Sequence, residues 1–148
     1  MKPDELYEHA VSLLARKDYS NGEMRRALNH MTDEGMTVET VIVRLRDSDY
    51  LNDQRIAENM VSRFLRKQYG PTRIRQELRQ KGIDQEVAEK AIRDCDVDWF
   101  QMASDCRTKK FGDDYPSDAK EKARQMRFLQ SRGFSMDMII EAITLQED

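Results

Sequence analysis

The stretch "LRQKGIDQEVAEKAI", residues 78 to 92, carries a pattern that the chain uses three times. The pattern also occurs in "MTDEGMTVETVIVRL", which ends at Leu45, and in "LQSRGFSMDMIIEAI", which ends at Ile143. In each copy a glycine has one apolar residue four positions before it and another directly after it. Each copy then closes on an apolar residue ten positions after the glycine. Such fixed spacing is the signature of a repeat protein.

The three glycines, Gly35, Gly82 and Gly133, predict tight corners between helices. Glycine accepts the left-handed conformation that commonly follows a helix end. Each glycine is followed two positions later by a residue whose side-chain oxygen can cap the next helix, namely Thr37, Asp84 or Ser135. The glycines lie 47 and 51 residues apart, which suits a three-helix unit repeated along the chain.

The segment before Gly82 supports the same scheme. Ile56, Met60 and Phe64 recur every four residues and predict one buried helical stripe. The stripe closes at "YGP", where Gly70 can end one helix and Pro71 can begin the next. In the third copy, "GDDYPSD" at residues 112 to 118 interrupts the helical pattern in the same way.

Composition agrees with an all-helical fold. Hydrophobic residues make up 39% and charged residues 36% of the chain, with six Gly and three Pro, which is typical of solvated helices with narrow apolar stripes. We therefore predict an all-α protein: an elongated, curved tandem array of three three-helix repeats with about nine helices. The predicted repeats span residues 1–52, 53–96 and 97–148. One unit of this size buries too little apolar surface to be stable alone, so neighbouring units should dock.

Charge is distributed unevenly along the chain. The net charge is −3, yet residues 53 to 83 carry eight basic and three acidic side chains. Within this basic repeat, five cations have no acid three or four positions away, and we call them the cationic strip: Arg63, Arg66, Lys67, Arg75 and Arg79. The strip is a solvated face, a face neutralised by acids of the neighbouring units, or a surface that binds phosphate or an acidic protein groove.

No chemistry of catalysis or metal binding is visible. The chain has no glycine-rich phosphate loop or nucleophile elbow, and its two histidines stand alone, which argues against zinc. The stretch "DCDVDW" resembles the start of a calcium loop, but Trp99 stands where that loop needs glycine. We interpret it as an acidic corner with Trp99 and Phe100 as packing anchors. We predict no catalytic residue, no metal and no cofactor.

The chain lacks the apolar segments of membrane or secreted proteins. No stretch approaches the roughly 20 apolar residues that span a bilayer, and the first ten residues lack the apolar core of a secretion signal. Cys95 and Cys106 are the only cysteines, and without an export signal we expect both to be reduced. We expect a cytoplasmic protein.

Residues 47 to 84, "DSDYLNDQRIAENMVSRFLRKQYGPTRIRQELRQKGID", closely resemble the bacterial RecX family, together with "AIRDCDVDW" and "RFLQSRGFS". The central stretch is specific because it contains "YLND", "YGP", "RIRQEL" and "KGI" in that order. The resemblance extends more loosely from Asp4 to Ile143. Family motifs match at Tyr50, Asp53, Arg55, Tyr69, Gly70, Pro71, Arg73, Arg75, Glu77, Leu78, Lys81 and Gly82.

This resemblance implies a function that the repeat pattern alone does not show. RecX-like proteins are arrays of three three-helix repeats that bind the RecA recombinase, especially its filament on single-stranded DNA. They lie in the filament groove, lower ATPase and strand-exchange activity, limit the SOS response and bind DNA to some degree. The resemblance thus implies a non-enzymatic regulator, and we expect it to act as a monomer through the cationic strip. The alternative is a sequence-independent nucleic-acid-binding helical module that competes for DNA.

Overall fold

A computed structural model describes residues 1–146 of the chain. Over this range the protein forms nine α-helices and no β-strand, which confirms the predicted all-α class and helix number. The helices are α1 (Pro3–Leu14), α2 (Asn21–Asn29), α3 (Gly35–Asp47), α4 (Asp53–Arg66), α5 (Pro71–Lys81), α6 (Gln85–Asp94), α7 (Trp99–Phe111), α8 (Ala119–Ser131) and α9 (Met136–Ile143).

The helices belong to two compact units. The first unit comprises residues 1–59 and 78–89, and the second comprises residues 60–77 and the described chain from residue 90 onward. Helices α4, α5 and α6 each contribute residues to both units. The repeat boundaries predicted at residues 52 and 96 stay a prediction.

The core of the first unit forms between α1, α2 and α3. It contains Leu6, Ala10, Met24, Leu28, Val38, Val41, Ile42, Leu45 and Leu51. Complete burial of one such large aliphatic side chain stabilises a fold by about 1.5 to 3 kcal/mol. Ser20 starts α2 with a capping box: its hydroxyl accepts the Glu23 N–H at 3.0 Å, and the Glu23 carboxylate accepts the Ser20 N–H at 3.0 Å.

The core of the second unit forms between α7, α8 and α9. It contains Ala103, Cys106, Leu129, Phe134, Ile139, Ala142 and Ile143. Asp98 caps α7 by accepting the Gln101 N–H at 3.1 Å, and Asp118 caps α8 by accepting the Glu121 N–H at 2.7 Å. Asp98 therefore has a structural role at the acidic corner.

The loop between α7 and α8 is held from inside the protein. The Arg107 side chain is buried and donates hydrogen bonds to the carbonyls of Gly112 and Asp114, at 3.4 and 3.1 Å. Its guanidinium carbon also lies 4.4 Å from the centre of the Tyr115 ring. These contacts fix the chain just beyond the C-terminal end of α7. Lys109 and Lys110 lie in the last turn of this helix.

Two local predictions for residues 53 to 96 are confirmed. Ile56, Met60 and Phe64 are all buried, as their four-residue spacing predicts. Pro71 is the first residue of α5, a position that suits proline because the first N–H of a helix has no intrahelical acceptor.

The glycine prediction is right at two corners and wrong at the third. Gly82 and Gly133 have φ values of +87° and +96°. Gly35 is instead the first residue of α3 without a positive φ, and Thr37 lies inside that helix. Residues 30 to 34 separate α2 from α3, whereas only residues 82 to 84 separate α5 from α6. The longer connection can turn without a left-handed glycine.

Three further predictions need correction. Helix α4 ends at Arg66, and the left-handed residue after it is Gln68 (φ 58°) rather than Gly70. Ser135 occupies the N-cap position of α9, but its side chain makes no capping hydrogen bond. Phe100 is 42% exposed, so it is not a packing anchor, whereas Trp99 is half-buried.

Candidate functional site

Two backbone segments of the second unit meet at a glycine pair, which we call the second joint: Gly70 and Gly133. The Gly70 N–H donates to the Arg132 carbonyl at 2.7 Å, and the Thr72 N–H donates to the Gly133 carbonyl at 3.0 Å. A Cβ atom on Gly70 would overlap the Gly133 carbonyl, and one on Gly133 would overlap Arg73. The glycines therefore allow the segment before α5 to contact the end of α8 directly.

Arg132, next to this glycine pair, connects the two segments through its side chain. Its guanidinium donates to the Lys67 carbonyl, and its central carbon lies 4.5 Å from the centre of the Tyr69 ring. Arg73 lies 4.3 Å from the same ring centre, and Phe64 stacks on Tyr69 at 5.5 Å. Cations at such distances are attracted to the aromatic ring. Tyr69 is thus a structural wedge, and its cationic neighbours are held in place.

Beside the second joint lies a concave site of about 560 Å³, which we call the basic pocket. It is lined by Arg66, Lys67, Gln68, Tyr69, Cys106, Lys109, Lys110, Phe128 and Arg132. Among these lining residues of the described chain, five are basic and none is acidic. The pocket combines the end of α4, the last turn of α7 and the end of α8.

The cations of the basic pocket are available to a partner. Arg66, Lys67, Lys109 and Lys110 are exposed, and none of the four forms an ion pair within residues 1–146. Lys109 and Lys110 occupy the last turn of α7, where the helix dipole favours positive charge. The fold tolerates this concentration of positive charge without neutralising it.

Cys106 forms part of the pocket wall but does not add reactivity to it. Burial raises the pKa of the thiol, and this effect outweighs the opposing influence of the Arg132 charge. The thiol is therefore protonated at neutral pH and is a weak nucleophile.

The first unit contains a related glycine pair, Gly22 and Gly82, which we call the first joint. A Cβ atom on Gly22 would lie 2.8 Å from the Gly82 carbonyl oxygen. The Ser20 hydroxyl donates to the Lys81 carbonyl at 2.6 Å, and the Lys81 ammonium donates to the Asp18 carbonyl at 3.2 Å. The backbone arrangement parallels the one at Arg132 and Gly133.

Acidic groups accompany the first joint. The Lys81 ammonium lies 2.9 Å from the Glu23 carboxylate, and Lys17 lies 3.8 Å from it. Burial raises the pKa of Glu23, but the hydrogen bonds from Lys81 and the Ser20 N–H and the charges of Lys81 and Lys17 together outweigh burial. The pKa therefore lies below its ordinary value. Asp53 accepts the Asn21 N–H at 2.8 Å, and burial raises the pKa of this carboxyl.

The structure brings two members of the cationic strip into the basic pocket: Arg66 and Lys67. Arg63 is exposed and lies 5.0 Å from the Phe64 ring centre, outside the pocket lining. Arg75 is half-buried and has an interaction within the protein. Arg79 is exposed and belongs to the first unit.

Sequence reasoning missed three pocket cations, Lys109, Lys110 and Arg132, because they lie more than 40 residues after Arg66 and Lys67. One sequence signal points to Arg132. It directly precedes its repeat glycine, Gly133, as Lys81 precedes Gly82. A long cationic side chain at that position reaches a carbonyl of the neighbouring corner in both cases.

Comparison with known proteins places this architecture in a family. Residues 52–92 match the model of the second three-helix domain of RecX, and residues 96–143 match the model of its third three-helix domain. The regulatory protein RecX of Acinetobacter baylyi is 44% identical over 135 residues, which cover 90% of this chain and 83% of that protein. The chain belongs to the RecX family. RecX of Salmonella typhimurium is 40% identical over 144 residues, covering 90% and 87% of the two chains.

Solved RecX structures share the fold. The crystal structure of RecX from Lactobacillus salivarius superposes with a TM-score of 0.79 at 24% identity, covering 95% of this chain and 94% of that one. A second RecX crystal structure gives a TM-score of 0.74 at 19% identity, covering 95% and 70%. The predicted tandem array of three-helix repeats and the RecX resemblance are confirmed.

The RecX relatives are named regulatory proteins, so a regulatory role follows from the family. Within residues 1–146, no helix has the length and apolar character needed to cross a membrane. Over the same range, no group of three or more His, Cys, Asp or Glu side chains is arranged to hold a metal ion.

Proposed function

We propose that this RecX family chain is a non-enzymatic regulator that binds the RecA recombinase and its filament on single-stranded DNA. It lies in the filament groove and inhibits ATP hydrolysis, strand exchange and SOS-related activity. It acts in the cytoplasm as a monomer and without a cofactor. Family membership supports the regulatory part of this proposal, and the acid-free basic pocket supports an anionic partner surface.

The basic pocket supplies the main contact in this proposal. Its unpaired cations bind carboxylates or phosphates that are exposed in the groove of the filament. Arg66 is suited to planar, bidentate recognition of either group, while Lys109 and Lys110 act as point charges. Arg63, Arg75 and Arg79 remain predicted contacts outside the pocket.

Inhibition then follows from tethering. A chain of linked repeats that bridges neighbouring RecA protomers resists the relative movements that accompany ATP turnover. Each individual contact can be weak, because binding of one repeat makes the next contact effectively intramolecular.

The pocket also favours a second candidate function, sequence-independent binding of nucleic acid. A phosphodiester backbone presents the same charge and geometry as the groove contacts invoked above. Because the whole chain has a net charge of −3, such binding would be weak and would fall steeply with salt. In this case inhibition would arise from competition for DNA.

One experiment separates the two functions. ATP hydrolysis by preformed RecA filaments is measured with increasing concentrations of the protein, and its dissociation constant for bare single-stranded DNA is measured in the same buffer. Filament binding predicts half-maximal inhibition at least about tenfold below that constant, a preference of roughly 1.4 kcal/mol. Inhibition that appears only at DNA-saturating concentrations contradicts filament binding and supports competition.

A further inference from the structure

The second unit carries a concave site of opposite charge, which we call the acidic groove. It has a volume of about 830 Å³ and is lined by Asp98, Phe100, Asp137, Ile140, Glu141, Thr144 and Gln146. Three of these lining residues are acidic and, within the described chain, none is basic. Its apolar side chains are accessible, because Phe100 is 42% exposed and Ile140 is 50% exposed.

The apolar surface of α9 exceeds what the core of the second unit uses. Ile139, Ala142 and Ile143 are buried in that core. Met136 and Ile140, four residues apart on the other face, are 47% and 50% exposed. Exposed large apolar side chains grouped with polar neighbours are typical of interaction surfaces.

Asp98 caps α7, but the other two carboxylates of the groove form no ion pair within the described chain. Within residues 1–146, neither Asp137 nor Glu141 forms an ion pair. The two carboxylates lie four residues apart in α9, and like charges at this spacing repel each other along a helix. A cationic partner would remove this repulsion.

We infer that the acidic groove docks a basic amphipathic helix of a protein partner. An apolar side chain of that helix packs between Phe100 and Ile140, and its flanking lysines or arginines pair with Asp137 and Glu141. This is the helix-in-groove mode, in which apolar anchors give affinity and the charged rim gives specificity. Nucleic acid and anionic membranes are poor occupants because their phosphates would face the carboxylates.

The test uses synthetic helical peptides and does not require RecA, so its outcome is independent of the proposed function above. The probe peptide places leucines along one face and lysines along the other. One matched peptide replaces every leucine by serine, and a second replaces every lysine by glutamate. Trp99, the only tryptophan of the chain, lies between Asp98 and Phe100 in sequence and is half-buried. Its fluorescence follows the titration.

The Leu/Lys peptide should bind with a dissociation constant of about 10 to 100 µM, in the range of transient helix-in-groove contacts. The serine and glutamate peptides should each bind at least about tenfold more weakly. Equal binding of the Leu/Lys and Ser/Lys peptides would show unspecific charge attraction and overturn the inference, as would no detectable binding of the Leu/Lys peptide.

Paired variants locate the site. Asp137→Lys with Glu141→Lys should weaken Leu/Lys binding at least about tenfold, because the rim charges reverse. Asp113→Lys with Asp114→Lys changes the net charge equally at exposed positions of the same unit and should change affinity less than about twofold. Equal losses in the two double variants would contradict the inference.

A second pair tests the apolar anchor. Ile140→Ser should weaken the Leu/Lys complex about five- to tenfold, since the leucine contact is lost. Val43→Ser removes a comparably exposed side chain, 49% against 50%, from the first unit and should have no effect. If Ile140→Ser lowers helicity, the charge variants still decide the matter, because both of their side chains are exposed.

Discussion

The first and second joints share one arrangement of a glycine pair and a basic residue, but the charges around it differ. In each, a left-handed glycine follows a basic residue whose carbonyl accepts a hydrogen bond from the neighbouring corner. The Lys81 carbonyl accepts from the Ser20 hydroxyl at 2.6 Å, and the Arg132 carbonyl accepts from the Gly70 N–H at 2.7 Å. In each, the basic side chain also reaches a neighbouring carbonyl, that of Asp18 or Lys67.

The difference lies in the acids. Glu23 and Asp53 accompany the first joint, and the Glu23 carboxylate forms ion pairs with both Lys81 and Lys17. The basic pocket beside the second joint has, in the described chain, no acidic lining residue. Glycine pairs therefore build the connection between segments, and the surrounding charge determines whether it remains free for a partner. At the second joint Arg73 pairs with Glu77 at 3.5 Å, but the exposed cations of the neighbouring basic pocket remain available.

The largest expected effect concerns the glycines themselves. Gly133→Ala places a Cβ atom at φ +96° against the backbone of Arg73, so it should destabilise the second unit by about 2 to 4 kcal/mol. Gly82→Ala meets the Ser20 hydroxyl first, at 2.8 Å. Because a single side-chain atom lies that close, whereas two backbone atoms of Arg73 lie within 3.0 Å of a Cβ atom on Gly133, the loss should be smaller. Denaturant unfolding followed by circular dichroism measures both, and Trp99 fluorescence also follows Gly133→Ala.

Gly35→Ala is the matched control for these substitutions. Gly35 has no positive φ, and no atom lies within 4 Å of an added Cβ. Alanine in the first turn of α3 should leave stability unchanged or raise it by about 0.4 to 1 kcal/mol. A loss equal to that of Gly133→Ala would show that the close approach at the second joint does not matter.

The next two predictions compare the basic side chains that precede the glycines, Arg132 and Lys81. Arg132→Met removes the hydrogen bond to the Lys67 carbonyl and the contact with the Tyr69 ring. It should lower stability by about 1 to 2 kcal/mol. Since no carboxylate pairs with Arg132 within residues 1–146, the loss should be similar at neutral and acidic pH. A loss confined to neutral pH would contradict this description of the second joint.

Lys81→Met should have a smaller, pH-dependent effect of about 1 kcal/mol at neutral pH. The pKa of Glu23 in the folded protein lies below its ordinary value of 4.5. Its ionised contacts therefore contribute fully above pH 4.5 and are lost as pH falls through the folded-state pKa. The difference between Lys81→Met and the unmodified protein should shrink over that window, as measured by denaturant unfolding across pH. A constant difference would contradict the ion pair.

The sequence predicts the helices and two of the three glycine corners because their causes are local. Apolar spacing predicts Ile56, Met60 and Phe64 as buried, and a short connection requires a left-handed residue at Gly82 and Gly133. The residue types around Gly35 have the same spacing, but the connection before α3 is longer and does not need a positive φ. The spacing of residue types alone does not predict how many residues separate two helices.

The basic pocket is only partly predictable for a related reason. Arg66 and Lys67 are found from charge spacing along one helix end. Lys109, Lys110 and Arg132 join them through the packing of α7 and α8 in the second unit, which no local pattern reveals. Likewise, "WF" predicts two anchors, yet Phe100 lies toward solvent because the core between α7 and α9 is filled by other residues.

The central claim is that the cations of the basic pocket, whose described lining has no acidic residue, contact the regulated partner. The most direct test compares inhibition of RecA filament ATP hydrolysis by two double variants. Lys109→Glu with Lys110→Glu reverses two pocket charges, whereas Lys120→Glu with Lys122→Glu makes the same net change at exposed positions of α8 outside the pocket lining.

The pocket variant should need at least about tenfold more protein for half-maximal inhibition, and the α8 variant less than about twofold more. Both variants should remain folded, since all four lysines are exposed and an unfavourable charge at a helix end costs only about 0.3 to 1 kcal/mol. Circular dichroism checks this. Equal inhibition by the two variants would contradict the assignment of the basic pocket as the partner contact.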